Sequence, residues 1–248
     1  MEFYSMKKKC VLITGASRGI GKACAKRFAQ AGYHVFINCR HSVRELTQLS
    51  EALNADGYLC TAVAGNVGQA DEVRRMFQII SSYTEGLDVL VNNAGISYVG
   101  LLTDMSDTDW SSLLNTNLSS AFYCCRAAIP YMVSQKQGKI INISSMWGRT
   151  GASCEAAYSA AKAGLNGLTM ALAKELAPSN IQVNAIACGV IDTVMNAQFS
   201  EEERTQLMEE VPAGRFGTPE EVAELVFDLS ENHPYMTGQI IGFDGGFI

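Results

Sequence analysis

The chain has 248 residues, a hydrophobic content of 48% and a formal net charge of −6 at pH 7. This composition can bury a sizeable core, and α/β folds of this length often form one unit, so we expect a single domain over residues 1–248. The acidic balance argues against a nucleic-acid-binding surface, which needs clustered cations. No apolar run reaches the ~20 residues that cross a bilayer, so we expect no membrane segment and a cytoplasmic protein.

Eight cysteines and three histidines are scattered along the chain without a CxxC pair or a Cys/His cluster. Disulfide and metal-site interpretations are therefore weak, and we expect no bound metal. Most of the cysteines are predicted to be small core residues in a reducing compartment.

Apolar β-branched runs alternate with helical patterns along the chain. Strands are predicted at 10–14, 34–39, 58–64, 88–91, 139–143, 181–187 and 239–243, and helices at 19–31, 43–55, 69–83, 108–134, 156–177 and 219–230. Strands without polar alternation, each followed by a crossover helix, predict a parallel sheet covered on both faces. In the helix at 156–177 one apolar face is predicted from the spacing of Leu165, Leu168, Leu172 and Leu176.

A glycine-rich loop follows the first predicted strand. Gly15, Gly19 and Gly21 have the spacing GxxxGxG and stand where the first helix begins. Glycines permit the tight turn and let backbone N–H groups approach a pyrophosphate, whose charge the helix N-terminus favours. Three glycines alone could form a structural turn, but after the first strand of a βαβ pattern they indicate a dinucleotide-binding loop.

The end of the second predicted strand indicates which nicotinamide cofactor fits. NAD sites usually place an acid there for the ribose 2′-hydroxyl, whereas NADP sites supply a cation. Here Arg40 follows the strand with no acid before Glu45, and Arg18 in the glycine loop is a second cation. Both arginines could be solvated surface residues, but the missing acid favours NADP(H).

Polar residues also follow the third and fourth predicted strands, where α/β sheets bind ligands. Asn66 could hydrogen-bond the adenine edge, and Asn92 and Asn93 open the run NNAG at 92–95. The asparagine pair could equally cap a turn.

Tyr158 and Lys162 are one helical turn apart, so their phenol and ammonium share a face. The preceding strand delivers Ser144 and Ser145 at its carboxyl end. Lys162 and a cationic nicotinamide are expected to lower the Tyr158 pKa from about 10 toward 7, which suits proton exchange with a carbonyl oxygen. Ser145 would hydrogen-bond that oxygen as charge develops. Ser144 and Ser145 could form a strand-end turn and Asn117 could be a satisfied helix residue, but beside the glycine loop the set indicates hydride transfer.

Six segments in this order resemble the short-chain dehydrogenase/reductase family over essentially the whole chain. They are TGASRGIG (14–21), NNAG (92–95), NTNL (115–118), ISS (143–145), YSAAK (158–162) and ACGVIDT (187–193). The resemblance implies a single-domain Rossmann fold: a doubly wound, seven-stranded parallel sheet with helices on both faces, usually assembled as a homotetramer. It also implies a catalytic tetrad of Asn117, Ser145, Tyr158 and Lys162.

In that tetrad Tyr158 is the general acid/base, Lys162 also binds the nicotinamide ribose, and Asn117 holds a water that relays protons. The chain departs from the family pattern at Cys188, which replaces a usual Pro, and at Asn66, which replaces a common Asp; we expect neither change to affect the chemistry. The resemblance implies NADP(H) contacts at Gly15, Ser17, Arg18, Gly19, Ile20, Gly21, Arg40, Asn66, Val67, Asn93, Ala94, Gly95, Tyr158, Lys162, Gly189, Ile191 and Thr193.

Within the family the chain is most similar to bacterial β-ketoacyl-acyl-carrier-protein reductases. This implies NADPH-dependent reduction of a ketone to a secondary alcohol, with a 3-oxoacyl thioester as the leading substrate. The segments MWG (146–148) and GASCE (151–155) also resemble reductases of 5-aminopentanone-modified elongation factor P, which is the alternative. Another small-ketone or hydroxysteroid-type dehydrogenase stays open. An idle nucleotide-sensing protein is disfavoured by the intact tetrad.

Substrate specificity is expected to lie in the segment 190–212, where Val194, Met195 and Phe199 could form an apolar lid. The expected substrate is a small-molecule or carrier-bound ketone. By resemblance, two basic positions that dock the carrier protein in the β-ketoacyl reductases match Lys136 and Ser179. Only one cation remains there, so we expect weak docking of an acidic carrier protein.

Overall fold

The computed structural model describes residues 8–194 and 200–248. Within these ranges the strands form one parallel sheet in the order β3-β2-β1-β4-β5-β6-β7. The strands are β1 (Cys10–Ile13), β2 (His34–Ile37), β3 (Leu59–Ala62), β4 (Val89–Asn92), β5 (Gly138–Ser145), β6 (Ile181–Cys188) and β7 (Ile240–Phe243). The strand order reverses between β1 and β4, which is where doubly wound sheets bind nucleotides.

Helices cover both faces of this sheet. They are α1 (Gly19–Gln30), α2 (Val43–Ala55), α3 (Ala70–Ser81), α4 (Asp107–Leu114), α5 (Ser120–Gln135), α6 (Trp147–Thr150), α7 (Ala156–Leu176), α8 (Glu201–Glu210) and α9 (Pro219–Glu231). Helices α1, α2 and α9 pack on one face, and α3, α5 and α7 pack on the other. The predicted doubly wound Rossmann sheet of seven parallel strands is thus confirmed.

Burial on both faces explains the unbroken apolar strands. In β1, Val11 and Ile13 join the core beneath α1, whereas Leu12 between them joins the core beneath α3 and α5. Successive side chains of a strand point to opposite faces, so a two-sided core requires apolar residues at every position. The predicted strands therefore agree with the observed ones to within two residues.

The single helix predicted at 108–134 is interrupted in the structure. Helices α4 and α5 are joined by a π-helical turn, Asn115–Ser119. Such turns insert one extra residue per turn and are frequent at functional sites. The apolar period continues through the turn, so the pattern alone did not reveal the interruption.

Two helices were not predicted. Helix α6 has four residues, which is too short for a helical period to be recognised. Helix α8 is mostly charged, and its start is fixed by a capping box in which Ser200 and Glu203 satisfy each other's backbone N–H groups. The S-x-x-E pattern was the available signal for α8.

The predicted leucine face of α7 is only partly correct. Leu165 and Leu176 are buried, but Leu168 and Leu172 lie at the edge of the buried face. Its centre holds Thr169, whose hydroxyl accepts a 2.8 Å hydrogen bond from Asn142 on β5. A polar residue can take a core position when it is hydrogen-bonded.

Membrane helices, metal-ligand clusters and cysteine burial can each be compared with the described residues. No helix in the described ranges is long and apolar enough to cross a membrane. Those same ranges contain no cluster of three metal-ligating side chains. Seven of the eight cysteines are buried and Cys154 is partly exposed, in agreement with their predicted place in the core.

Candidate active site

A cavity of about 650 Å³ opens at the carboxyl edge of the sheet. Nearly all the residues predicted to contact cofactor or substrate line it; Gly21 and Asn117 do not. The lining includes Gly15, Ser17, Arg18, Gly19, Ile20, Arg40, Asn66, Val67, Asn93, Ala94, Gly95, Ser145, Tyr158, Lys162, Gly189, Ile191 and Thr193.

The glycine loop needs its glycines for conformation and for close packing. Gly15 and Gly19 have φ of +64° and +54°, which side-chain-bearing residues rarely adopt. A Cβ at Gly15 would lie 2.8 Å from the Ala94 Cα, and one at Gly21 would lie 2.5 Å from the Gly15 oxygen. Gly21 therefore packs directly against the glycine loop, although it does not itself line the cavity. The open cradle in front of the loop fits a dinucleotide pyrophosphate at the start of α1.

Asn93 fastens the glycine loop to β4. Its Nδ2 donates to the backbone oxygens of Thr14 and Gly15 at 2.9 and 3.0 Å. The Thr14 hydroxyl accepts from the backbone N–H groups of Asn93 and Ala94, both at 3.0 Å. Asn92 instead lies in the core, where its Nδ2 donates to the Asn142 Oδ1 at 2.8 Å. The asparagine pair therefore joins strands and loop, and does not merely cap a turn.

The end of the cavity beside the glycine loop and the end of β2 carries the two arginines. Arg18 and Arg40 are exposed and line it, and no described carboxylate forms an ion pair with either. Asn38, at the end of β2, also lines the cavity; it is buried, and its Nδ2 donates to the Val63 and Gly65 oxygens at 2.9 and 3.0 Å. This end therefore offers two cations to an anionic group.

Asn66 sits at the next turn along this edge. Its Oδ1 accepts a 3.0 Å hydrogen bond from the Gly68 N–H, and its own N–H donates to Glu72 at 2.7 Å. These bonds fix the residue at the cavity wall beside the buried Val67. The side-chain amide N–H₂ is then the group that can meet an adenine edge.

The predicted catalytic side chains of Ser145, Tyr158 and Lys162 converge at the end of β5. Ser145 is its last residue, and its hydroxyl accepts from the Trp147 N–H at 3.2 Å and hydrogen-bonds Tyr158. The Lys162 Nζ donates to the Ile143 oxygen at 2.7 Å and lies 5.6 Å from the centre of the Tyr158 ring. A carbonyl oxygen in the cavity can therefore reach the hydroxyls of Ser145 and Tyr158 together.

Burial has the largest effect on the pKa values of Tyr158 and Lys162. It raises the pKa of Tyr158 well above its usual value, and the hydrogen bond with Ser145 opposes only part of that shift. It lowers the pKa of Lys162 to about 8. Burial by itself therefore disfavours the phenolate, and the lowering of the Tyr158 pKa toward 7 by Lys162 and a cationic nicotinamide stays a prediction.

Cys188 lies in the cluster as well. It pairs in register with Ser145 across β5 and β6, lines the cavity and lies close to Lys162. Burial raises the pKa of its own thiol to about 12. Cys188 therefore lies beside the predicted catalytic lysine as a neutral thiol, and the expectation that it does not affect the chemistry stays a prediction.

Asn117 supports the site from the π-helical turn. Its Oδ1 accepts from the Ile96 N–H at 2.8 Å, and its Nδ2 donates to the Ile96 oxygen at 2.7 Å. The side chain is 2% exposed. The structure therefore places its amide behind the segment that follows β4, outside the cavity, and the water-holding role stays a prediction.

The substrate end of the cavity is mainly apolar. Val194, 58% exposed, lies at its rim, whereas Met195 and Phe199 lie outside the described residues. Sequence reasoning did not assign a site role to several further lining residues. They are Ile96, Val99, Met146, Trp147 and Glu155, whereas Val190 and Leu207 belong to the segment 190–212 predicted to set substrate specificity.

Comparison with known proteins agrees with this geometry. The family model described as short chain dehydrogenase matches residues 9–204. A 3-oxoacyl-[acyl-carrier-protein] reductase FabG of Aquifex aeolicus is 42% identical over 242 residues, covering 97% of this chain and 98% of that protein. The FabG of Thermotoga maritima is 40% identical over 248 residues, covering 98% and 99%. A crystal structure of a putative gluconate dehydrogenase from Agrobacterium tumefaciens has a TM-score of 0.91 at 35% identity, covering 96% and 95%.

The chain therefore belongs to the short-chain dehydrogenase family. It is an oxidoreductase that acts on the CH–OH/C=O pair and uses a nicotinamide cofactor. Among the relatives, the FabG proteins match nearly the full length of the chain.

Proposed function

We propose that the protein reduces a ketone to a secondary alcohol with NADPH. The observation that carries this proposal is the convergence of Ser145, Tyr158 and Lys162 on a cavity whose other end holds Arg18 and Arg40. When bound, the reduced nicotinamide supplies a hydride. Ser145 orients the carbonyl oxygen, and Tyr158 donates a proton to it as negative charge develops. The Lys162 ammonium stabilises the resulting phenolate and binds the nicotinamide ribose.

The preference for NADPH over NADH rests on the two arginines. A cation that hydrogen-bonds a phosphate contributes about 1.5–3 kcal/mol, so Arg40→Ala should lower kcat/KM for NADPH by at least about tenfold. NADH lacks the 2′-phosphate, and its kcat/KM should change little. Steady-state kinetics with both cofactors measures this. Equal use of NADH by the parent protein would contradict the assignment.

The proposed substrate is a 3-oxoacyl thioester, which is supported by the names of the relatives. The positions matched to carrier-protein docking, Lys136 and Ser179, lie side by side, since the Asn180 Nδ2 donates to the Lys136 oxygen at 3.2 Å. They lie just before β5 and β6 begin, and the length of β5, which has eight residues and ends at Ser145, is about 23 Å for a strand. Within one subunit this docking pair is therefore remote from the cavity, and its single cation supports weak docking.

Reduction of a 5-aminopentanone-modified elongation factor P is the second candidate. The observation that favours it is that Trp147 and Glu155, from the two segments that resemble those reductases, both line the cavity. The discriminating measurement compares kcat/KM for acetoacetyl-carrier protein, acetoacetyl-coenzyme A and the modified factor. We expect similar values for the two acetoacetyl thioesters. A strong, salt-sensitive preference for the carrier protein would contradict weak docking, and turnover of the modified factor alone would replace the leading assignment.

We also propose that residues 1–248 act as one catalytic domain in a cytoplasmic homotetramer. The family resemblance supports this assembly. Helices α5 and α7 also carry exposed apolar side chains that such an assembly would cover. They are Phe122, Val133 and Met170, which are 44%, 42% and 45% exposed.

A further inference from the structure

Helix α8 lies beside the substrate end of the cavity, yet it buries none of its own side chains. Leu207 on α8 lines the cavity and is only partly buried, and five of the ten residues of the helix are glutamates. Helices of globular proteins are normally held in place by an apolar face packed on the core. Val211, directly after α8, is 3% exposed and anchors the carboxyl end of the helix. The position of the amino-terminal half must therefore depend on other contacts.

Arg204, in the first turn of α8, makes those contacts. Its Nη2 donates to the Asp192 Oδ1 at 3.0 Å, and its Cζ lies 5.1 Å from the centre of the Phe216 ring. The Arg204 side chain is 22% exposed, and Phe216 is buried. Among the residues that the structure describes, this is the one ion pair between α8 and another part of the chain. A guanidinium that binds a carboxylate and lies over a ring fixes an orientation as well as a distance.

Asp192 lies in a segment that is held by a second segment of the chain. Its N–H donates to the Gly217 oxygen at 2.8 Å, directly after the buried ring that Arg204 contacts. Ile191 and Thr193, on either side of Asp192, line the cavity. Arg204 therefore joins α8 to backbone that forms part of the cavity wall.

Given the proposed ketone reduction, on which the functional part of this inference rests, we propose that Arg204 is a positioning residue of the substrate site. Its contacts with Asp192 and Phe216 hold α8 in the docked position described above, and docked α8 keeps Leu207 at the cavity. A partly exposed ion pair and a cation–π contact together change an equilibrium by about tenfold. A substrate that touches Leu207 binds only the docked form, so loss of the contacts weakens substrate binding and leaves the chemical step intact.

Replacement of Arg204 tests this with two measurements of one equilibrium. In Arg204→Gln the ratio of docked to undocked α8 should fall about tenfold. An isolated helix of ten residues is unstable in water, so undocked α8 unfolds and a glutamate-specific protease can cut it within 201–210. KM for acetoacetyl-coenzyme A reports the docked fraction, whereas kcat at saturation should change less than about twofold. The fold increase in cleavage multiplied by the fold increase in KM should therefore be about ten.

Further variants at the same contact separate a positioning role from a general loss of stability. Arg204→Lys keeps the charge but not the planar guanidinium, so it should lower the docked-to-undocked ratio only about threefold. Arg204→Glu should lower the ratio by at least about tenfold, because two carboxylates then face each other. Adding Asp192→Lys rebuilds the ion pair with its charges exchanged and should restore the ratio about threefold.

The matched control is Arg27→Gln. Arg27 binds the Glu224 carboxylate at 2.8 Å, and its Cζ lies 3.6 Å from the centre of the Phe227 ring. These contacts join α1 to α9, and none of the three residues lines the cavity. The substitution removes the same kinds of contact elsewhere, so it should lower the thermal midpoint and leave both the cleavage of α8 and KM unchanged.

A product near one in Arg204→Gln would overturn the inference. Equal acceleration of α8 cleavage by Arg27→Gln would also overturn it, since the effect would then be general, and so would a fall in kcat at constant KM. Failure of the charge exchange to restore the ratio would show that Asp192 does not hold Arg204. Absence of turnover by the parent protein would contradict the proposed reduction, while the cleavage measurements would still decide whether Arg204 holds α8.

Discussion

At the scale of single residues, burial sets the protonation state of the catalytic groups. The Tyr158 pKa is raised, so its phenol keeps its proton throughout the neutral range and is ready to donate it to a ketone. The Lys162 pKa of about 8 keeps its ammonium mostly charged at pH 7. Burial thus favours the acid form that reduction needs, and a cationic nicotinamide would favour the phenolate needed for the reverse reaction.

Tyr158→Phe should remove almost all ketone reduction and leave NADPH binding intact. Phenylalanine keeps the ring beside Lys162 and removes the proton donor. General acid catalysis contributes about 10²–10⁴-fold, so kcat should fall by at least about 100-fold. Stopped-flow or steady-state kinetics, with NADPH binding by fluorescence as the control, measures both effects. A variant that keeps a tenth of the parent kcat would remove Tyr158 from the mechanism.

At the scale of elements, the nucleotide site depends on how closely β1, β4 and α1 approach one another. Gly21 in the first turn of α1 faces the Gly15 oxygen and the Asn93 Nδ2, and a Cβ there would lie 2.5 and 2.6 Å from them. Both atoms take part in the hydrogen bond that joins the glycine loop to β4. The glycine loop therefore cannot move to make room for a Cβ at Gly21 without disturbing this hydrogen bond.

Gly21→Ala should weaken NADPH binding by at least about tenfold and lower the thermal midpoint, because overpacking of a close contact costs about 1–3 kcal/mol. The matched control is Gly167→Ala on α7, where an added Cβ meets no atom within 4 Å. That substitution should stabilise the protein by about 0.5–1 kcal/mol, since alanine favours a helix. Thermal unfolding and fluorescence titration measure both variants. Normal NADPH binding by Gly21→Ala would contradict the packing argument.

At the scale of the whole molecule, burial of the Lys162 ammonium lowers the free energy of unfolding. This residue is 4% exposed, and a depression of its pKa from 10.5 to about 8 corresponds to about 3 kcal/mol of lost stability near neutral pH. The unfolded chain binds more protons than the folded one between pH 8 and 10.5. The contribution of Lys162 therefore becomes less unfavourable as pH rises through that window.

Lys162→Met should consequently unfold at higher denaturant concentration than the parent protein at pH 7, while losing activity. The gap in the free energy of unfolding should be about 1–3 kcal/mol, reduced by the lost hydrogen bond to Ile143, and should shrink between pH 8 and pH 10. Urea unfolding of both proteins at several pH values measures the gap. A gap that does not change with pH would show that burial of the ammonium has no such effect.

Much of this architecture could be predicted from local pattern. The strands were found because a sheet buried on both faces requires uninterrupted apolar runs, as in Val11, Leu12 and Ile13. The π-helical turn at Asn115–Ser119 and the short helix α6 were not, because neither changes the apolar period enough to be detected.

The sequence by itself determined the parallel Rossmann sheet, the glycine loop and the spacing of Tyr158 and Lys162, because these depend on residues close together in the chain. Only the tertiary structure decided how the segments meet. It placed Asn117 behind the cavity wall, Cys188 beside Lys162, and Glu155 with Trp147 at the substrate end. These positions follow from strand order and from the packing of α6 and α7, which bring residues distant in the chain to one edge of the sheet. Burial, and with it the direction of each pKa shift, likewise exists only once those elements have packed together.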